Sequence, residues 1–248
     1  MSEHTLDGVG VLVTRPQQQA GELVEAIEAQ GGKAILFPVI EILARNDAEV
    51  QSDVDALNDP AISVFVSRNA VEHGLSYARG KIAAIGPTTA EAIVQRGAHV
   101  DICPAAGFDS EHLLMEAAFD DVTGKTIRII RGNGGREHLA NSLSERGADV
   151  ECLSTYERKL PHYTNAELSS LEQRWQAGEV TVAVVMSVQS LENLGTLLPD
   201  WCREQLPFTP LVTPAARVLK ETLKQYPGCP AILAAGPRNT DIVDAITG

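Results

Sequence analysis

Apolar residues in this chain fall into short continuous runs separated by amphipathic stretches. Runs at 9–13, 34–37, 62–66, 81–85, 99–102, 126–131, 149–153, 180–186, 209–213 and 230–235 predict strands. Most are continuous rather than alternating, as in Val182-Ala183-Val184-Val185, which suits strands covered on both faces of a sheet. Helical periodicity lies between them. Over 17–30, Ala20, Leu23, Val24 and Ile27 form one apolar stripe, and Gly31-Gly32 stops the helix. Over 136–146, Leu139 and Leu143 face a core, and Gly147 ends the turn. Strand and helix alternate throughout, which predicts an α/β class with parallel sheets. Right-handed crossovers then gather all the strand-to-helix elbows of one sheet on one edge.

The pattern also repeats. Residues 65–75 (FVSRNAVEHGL) match 185–195 (VMSVQSLENLG), 9–34 match 126–148 in kind, and 82–93 match 211–223. Three paired elements in the same order predict a duplicated α/β unit, with two ligand-accessible edges. Two stretches break the rhythm: 37–43 (FPVIEIL) and 151–160 (ECLSTYERKL) are extended with no strong helix directly after them. Each follows the second strand of its half, so they read as paired linkers between domains; ordinary strand-to-helix loops are the alternative.

Composition narrows the class. A chain of 248 residues fits two modest domains, each with its own core. No apolar stretch approaches the roughly 18 residues of a membrane span, and the polar start (MSEHTLDG) shows no signal peptide. Cys103, Cys152, Cys202 and Cys229 form no CxxC pair and read as reduced thiols of a cytoplasmic protein. The net charge of −13 argues against a nucleic-acid partner. His4, His73, His99, His112, His138 and His162 lack metal-ligand spacing, so no metal is expected. No GxSxG elbow exists, and Asp120-Asp121 reads as solvated surface.

The candidate chemistry lies in the elbows: Thr14-Arg15-Pro16, Ser67-Arg68-Asn69, Gly86-Pro87-Thr88-Thr89, Arg131-Gly132-Asn133-Gly134-Gly135, Ser187-Val188-Gln189, Thr213-Pro214 and Gly236-Pro237-Arg238. Free N–H groups and the helix dipole favour anions at such places. Any one of these hydroxyls is more simply a helix cap; seven elbows together point to a polyanionic ligand. The Gly132 loop has Glu151 roughly 20 residues on, as a dinucleotide fingerprint would, but Glu137 occupies the closing small-residue position. Tyr156 sits centrally in a proposed linker, where its hydroxyl is placed either to donate a proton or to pack at a hinge.

VLVTRP at 11–16, FPVIEI at 37–42, IAAIGPTTAEAI at 82–93, RGNGGREHL at 131–139 and GADVECLSTYER at 147–158 together resemble the uroporphyrinogen-III synthase family over nearly the whole chain. Each motif is weak alone, and the second-half elbows match more loosely. The resemblance implies two similar parallel-sheet, flavodoxin-like domains joined by two extended linker strands at about 38–42 and 153–160, with a cleft between them. One domain would combine 1–37 with 161–248; the other would span 38–160. The implied reaction cyclises hydroxymethylbilane, a linear tetrapyrrole with eight carboxylates, with loss of water and inversion of the last pyrrole ring, and needs no cofactor. Tyr156 aligns with the family tyrosine proposed to assist departure of the hydroxyl. Thr14, Arg15, Ser67, Arg68, Thr88, Arg131, Asn133, Ser187 and Thr213 are carried over as substrate-binding candidates. A monomer without nucleic-acid or membrane partners is expected, with substrate handed over from hydroxymethylbilane synthase. Two other readings use the same residues: a two-domain solute-binding module without chemistry, and a nucleotide-dependent enzyme built on the Gly132 loop.

Overall fold

The computed structural model describes residues 5–105, 107, 109–134 and 137–248; His4 and Gly135 lie outside the described residues. Ten strands are present among the described residues: β1 (Gly10–Val13), β2 (Lys33–Leu36), β3 (Glu41–Ala44), β4 (Ile62–Phe65), β5 (Lys81–Ala84), β6 (Thr126–Gly132), β7 (Asp149–Lys159), β8 (Val182–Val184), β9 (Leu211–Thr213) and β10 (Ala231–Leu233). They form two five-stranded sheets in two compact units. Unit 1 comprises the residues up to Glu41 together with Lys159–Gly248, and unit 2 is Ile42–Arg158.

The unit 1 sheet has the order β10-β9-β8-β1-β2, and every neighbouring pair is parallel. Its continuous apolar runs cover both faces. Leu12, Ala183 and Leu211 belong to one buried cluster, whereas their chain neighbours Val11, Val13, Val182, Val184 and Val212 belong to another. Successive strand residues point to opposite faces, so a run with no polar member commits both faces to helices. The helix Gln17–Ala29 buries Ala20, Leu23 and Ile27 on the second cluster, and Val24 packs beside them half-buried. It ends where Gly31 takes φ +84°, a left-handed conformation that glycine adopts without strain.

The unit 2 sheet has the order β3-β7-β6-β4-β5, with β7, β6, β4 and β5 parallel. Ile62, Val64, Ile127 and Ile129 fill one face, and Phe65 and Ile130 are buried on the other. That second face also carries Arg128, which is buried and paired with Glu151 across the β6–β7 register at 3.3 Å. Glu151 also accepts from the backbone N–H of Asn58 at 2.9 Å, so the buried pair is tied to a loop as well.

Three elements differ from the sequence pattern. The run at 99–102 reduces to a single bridge, Ile102 to Ala83, because the Asp101 carboxylate accepts the Ile82 N–H at 2.8 Å in place of a strand carbonyl. The stretch 37–43 runs into β3, and a helix, Asp47–Asp55, follows closely, capped by Asn46, which accepts from the Ala48 N–H at 2.9 Å. The stretches 149–153 and 151–160 are one strand of 11 residues, because β6 extends to Gly132 and continues to pair with it.

Candidate functional site

Parallel pairing puts the carboxyl ends of β4, β5, β6 and β7 on one edge of unit 2. That edge brings together Ser67, Thr88, Arg131, Asn133 and Tyr156, which come from four separate stretches of the chain. Between Arg131 and Gly132 the ladder skips a residue: Arg131 pairs with Ser154, and Gly132 pairs with Tyr156. Such a bulge re-aims the following side chains. Here it lays the Tyr156 ring over Gly132, where an added Cβ would come within 2.5 Å of the ring. A glycine is therefore required at 132 by close approach rather than by backbone angle.

Tyr156 is 0% exposed. Its hydroxyl lies 3.1 Å from Ser67 Oγ and accepts from the Arg158 guanidinium at 3.2 Å. Arg158 also stands 5.7 Å from the ring centroid, and the His73 ring lies tilted at the same distance. Asn133 fastens this arrangement at two points: its backbone N–H donates to the Tyr156 carbonyl at 3.0 Å, and its side-chain oxygen accepts the Arg158 N–H at 2.7 Å. Ser67 opens the helix Arg68–Gly74 as its cap, accepting the Ala70 N–H at 3.1 Å. A cavity of about 310 Å³ adjoins the group, lined among others by Val66, Ile85, Arg131, Gly132, Tyr156 and Arg158.

The other unit 2 candidates divide by exposure. Arg68 and Thr88 are exposed in the first turns of their helices. Arg131 is buried; its Nε donates to the Gly134 carbonyl at 3.0 Å, and a terminal nitrogen reaches Glu137 at 3.3 Å. Its guanidinium thus engages both Gly134 and Glu137. The same loop does not have the surroundings of a dinucleotide site, because Gly132 is covered by a tyrosine ring and Glu151 is engaged by Arg128 and Asn58.

In unit 1 the carboxyl ends of β1, β8 and β9 bring Thr14, Arg15, Ser187 and Thr213 to one edge. Thr14 is buried and donates its hydroxyl to the Val184 carbonyl at 2.7 Å. Thr213 is buried, its oxygen 3.3 Å from the Ala215 N–H. Arg15 donates to Asn239 Oδ1 at 2.7 Å. Ser187 caps the helix Val188–Leu197, accepting the Ser190 N–H at 3.1 Å. Ser67 and Ser187 therefore hold equivalent places in their units, as the FVSRNAVEHGL and VMSVQSLENLG match predicts.

Sequence reading missed Arg158 and the demand for glycine at 132. A signal existed for the first: Arg158 is two residues beyond Tyr156 on an extended segment, the spacing that returns a side chain to the same strand face. Nothing in the chain shows that Gly132 lies opposite Tyr156.

Fold and edges define a parallel α/β protein with its polar groups gathered where such sheets take ligands. The family model described as uroporphyrinogen-III synthase HemD matches residues 21–244. The chain is 34% identical over 206 residues to the uroporphyrinogen-III synthase of Escherichia coli (strain K12), covering 79% of this chain and 82% of that one. It is 27% identical over 197 residues to the enzyme of the same name from Proteus mirabilis, covering 75% and 97%. In fold it is similar to a mutant uroporphyrinogen III synthase from the extremely thermophilic bacterium Thermus thermophilus, with TM-score 0.64 and 20% identity over 96% of this chain and 97% of that one. It is also similar to uroporphyrinogen-III synthetase from Helicobacter pylori 26695, with TM-score 0.64 and 16% identity over 95% and 97%. The chain belongs to the uroporphyrinogen-III synthase family. Among the described residues no helix is long and apolar enough to cross a membrane.

Proposed function

We propose that this chain cyclises hydroxymethylbilane to the ring-inverted macrocycle, with loss of water, as a cyclising hydro-lyase. The observation that carries the reading is the Tyr156 hydroxyl, buried at the sheet edge between Ser67 and Arg158. Loss of the terminal hydroxyl needs a proton on the departing oxygen, and a phenol held beside a guanidinium supplies one. Arg158, itself exposed, then faces the phenolate that remains in a charge-assisted contact.

The substrate's eight carboxylates meet a protein of net charge −13, so local donors must outweigh repulsion at a distance. Exposed Arg68 and Thr88 are our proposed carboxylate contacts. Thr14, Arg131, Asn133, Ser187 and Thr213 engage the backbone beside them and so hold the elbow residues in place. Much of the catalytic effect lies in holding the chain so that the hindered carbon is attacked, which positioning alone can supply. The working state we propose is a cytoplasmic monomer, where its free cysteines stay reduced.

The test is incubation with enzymatically generated hydroxymethylbilane, followed by isomer analysis. The ring-inverted isomer is the expected product; the unrearranged isomer alone overturns the reading. Tyr156→Phe is expected to slow turnover by roughly 10- to 1,000-fold while leaving the melting temperature nearly unchanged.

A further inference from the structure

The hydrogen bonds around Tyr156 give its proton a direction. The hydroxyl has two polar neighbours among the described residues, Arg158 at 3.2 Å and Ser67 Oγ at 3.1 Å. A guanidinium only donates, so Arg158 uses the phenol oxygen as acceptor. The phenolic proton of a wholly buried side chain needs an acceptor, and Ser67 Oγ is the one in range. The opposite assignment, with the serine donating, leaves that buried proton unpaired, the costlier arrangement. Ser67 Oγ also accepts the Ala70 N–H at 3.1 Å, so both of its lone pairs are engaged. Its own O–H finds no acceptor within the fold among the described residues, and Ser67 is only half-buried. The chain of donors therefore begins at a phenol with no exposed surface, beside the cavity, and ends on a serine that is itself only half-buried.

We propose that Ser67, and not Tyr156, touches the departing hydroxyl, and that Tyr156 recharges it from behind. This rests on the reading that the chain cyclises hydroxymethylbilane. The pyrrole nitrogen lone pair expels the hydroxyl, and the C–O bond breaks with its electron pair on oxygen. That oxygen takes the Ser67 proton and leaves as water. Ser67 takes the phenolic proton, leaving tyrosinate against the Arg158 guanidinium and an azafulvenium cation on the substrate. Attack at the hindered carbon releases no proton, since that carbon bears none. After the link to the last ring breaks, re-closure at that ring's unsubstituted α-carbon releases one proton, which returns through Ser67 to the tyrosinate. In this scheme Arg158 is a positioning residue. It fixes the phenol as a donor toward Ser67 and holds the transient negative charge.

The test compares Ser67→Gly, Ser67→Thr, Tyr156→Phe and the Ser67→Gly/Tyr156→Phe double variant in single-turnover conversion of hydroxymethylbilane, with product isomers resolved. Glycine is tolerated as a helix cap, so Ser67→Gly removes the hydroxyl with little effect on the helix. Ser67→Gly should slow conversion about 100-fold, within the range of general-acid effects. Ser67→Thr should stay within a few-fold of wild type. The double variant should be no slower than the slower single one, because both remove the same relay; multiplication of the two losses overturns the proposal. A Ser67→Gly rate equal to wild type beside a slow Tyr156→Phe also overturns it, since the phenol then acts directly. Should Ser67→Gly fail to fold, wild-type rates in mixed H2O and D2O decide. A bowed dependence marks two protons in flight, whereas a linear or flat one overturns the relay. A wild-type chain that makes only the unrearranged isomer fails the functional reading and the relay with it. A wild type that makes the inverted isomer beside an unslowed Ser67→Gly fails the relay alone.

Discussion

Replacing Gly132 by alanine adds one methyl group in a place with no room for it. The new Cβ would stand 2.5, 2.7 and 3.0 Å from Cε2, Cζ and Cδ2 of Tyr156, all along one edge of the ring. Carbon atoms rest about 3.5–4.0 Å apart, so the ring must retreat by roughly 1 Å. The ring is fully buried, with His73 and Arg158 each 5.7 Å from its centroid, so its retreat is obstructed. The hydroxyl contacts now stand at 3.1 Å to Ser67 and 3.2 Å to Arg158. A displacement of that size away from either partner takes that contact beyond hydrogen-bond range, and across the bonds it stretches and bends both. Overpacking of this kind costs about 1–3 kcal/mol of stability. Misplacing a catalytic group by about 1 Å lowers rate on the order of 100-fold. Gly132→Ala should therefore show both losses: stability by urea denaturation, and rate by single-turnover conversion of hydroxymethylbilane, scored per folded molecule. Gly21→Ala, in mid-helix with nothing within 4 Å of the new Cβ, is the control, and should gain about 0.5–1 kcal/mol. A Gly132→Ala protein with wild-type stability and a rate within about twofold of wild type would refute the reasoning, for the ring would then have slack that the geometry denies.

Glu151→Gln should cost about 3–5 kcal/mol, because it leaves the buried Arg128 guanidinium without its counter-charge, while turnover per folded molecule stays unchanged; a large fall in turnover at full stability would assign Glu151 to the chemistry instead. Burial first, then the Glu167 charge, pushes the Tyr163 hydroxyl from 10.0 up to about 12, where it donates to the Pro38 carbonyl at 2.7 Å. A pKa raised by folding contributes stability that is complete below the unfolded value and lost as pH climbs through the folded one, so the protein should weaken between pH 10 and about 12. Tyr163→Phe should weaken less steeply across that window in pH-dependent thermal melts, and an identical slope would remove Tyr163 as the cause. Residues 42–158 expressed alone should show cooperative amide protection through β4, β6 and β7, whereas a fragment that ends at residue 120 lacks β6 and β7 and should be poorly protected; protection throughout that shorter fragment would overturn the discontinuous division.

Strand positions were legible because continuous burial on both faces leaves an unbroken apolar run, as at Val11–Val13 and Val182–Val184. The pattern failed where polar side chains replaced backbone partners. Asp101 takes the Ile82 N–H and shortens an expected strand to one bridge, and Asn46 starts a helix with few apolar residues. Ser67 and Ser187 were legible as hydroxylated elbows because a helix start needs an acceptor for its free N–H groups, a local demand met by local residues.

The sequence by itself determined the α/β class, the duplicated strand–elbow–helix units and the family, since each is written in residues adjacent in the chain or in their spacing. Tertiary structure alone decided which elbows share an edge. The strand order β3-β7-β6-β4-β5 sets Ser67 beside Tyr156, 89 positions apart, and no local pattern encodes a neighbour at that separation. It also decided that Thr14 and Thr213 face inward while Thr88 faces out, although all three read alike as elbow hydroxyls. The skip between Arg131 and Gly132 settled the rest. A one-residue slip in a ladder turns side chains to the other face, and that choice belongs to the pairing of two strands and to neither alone.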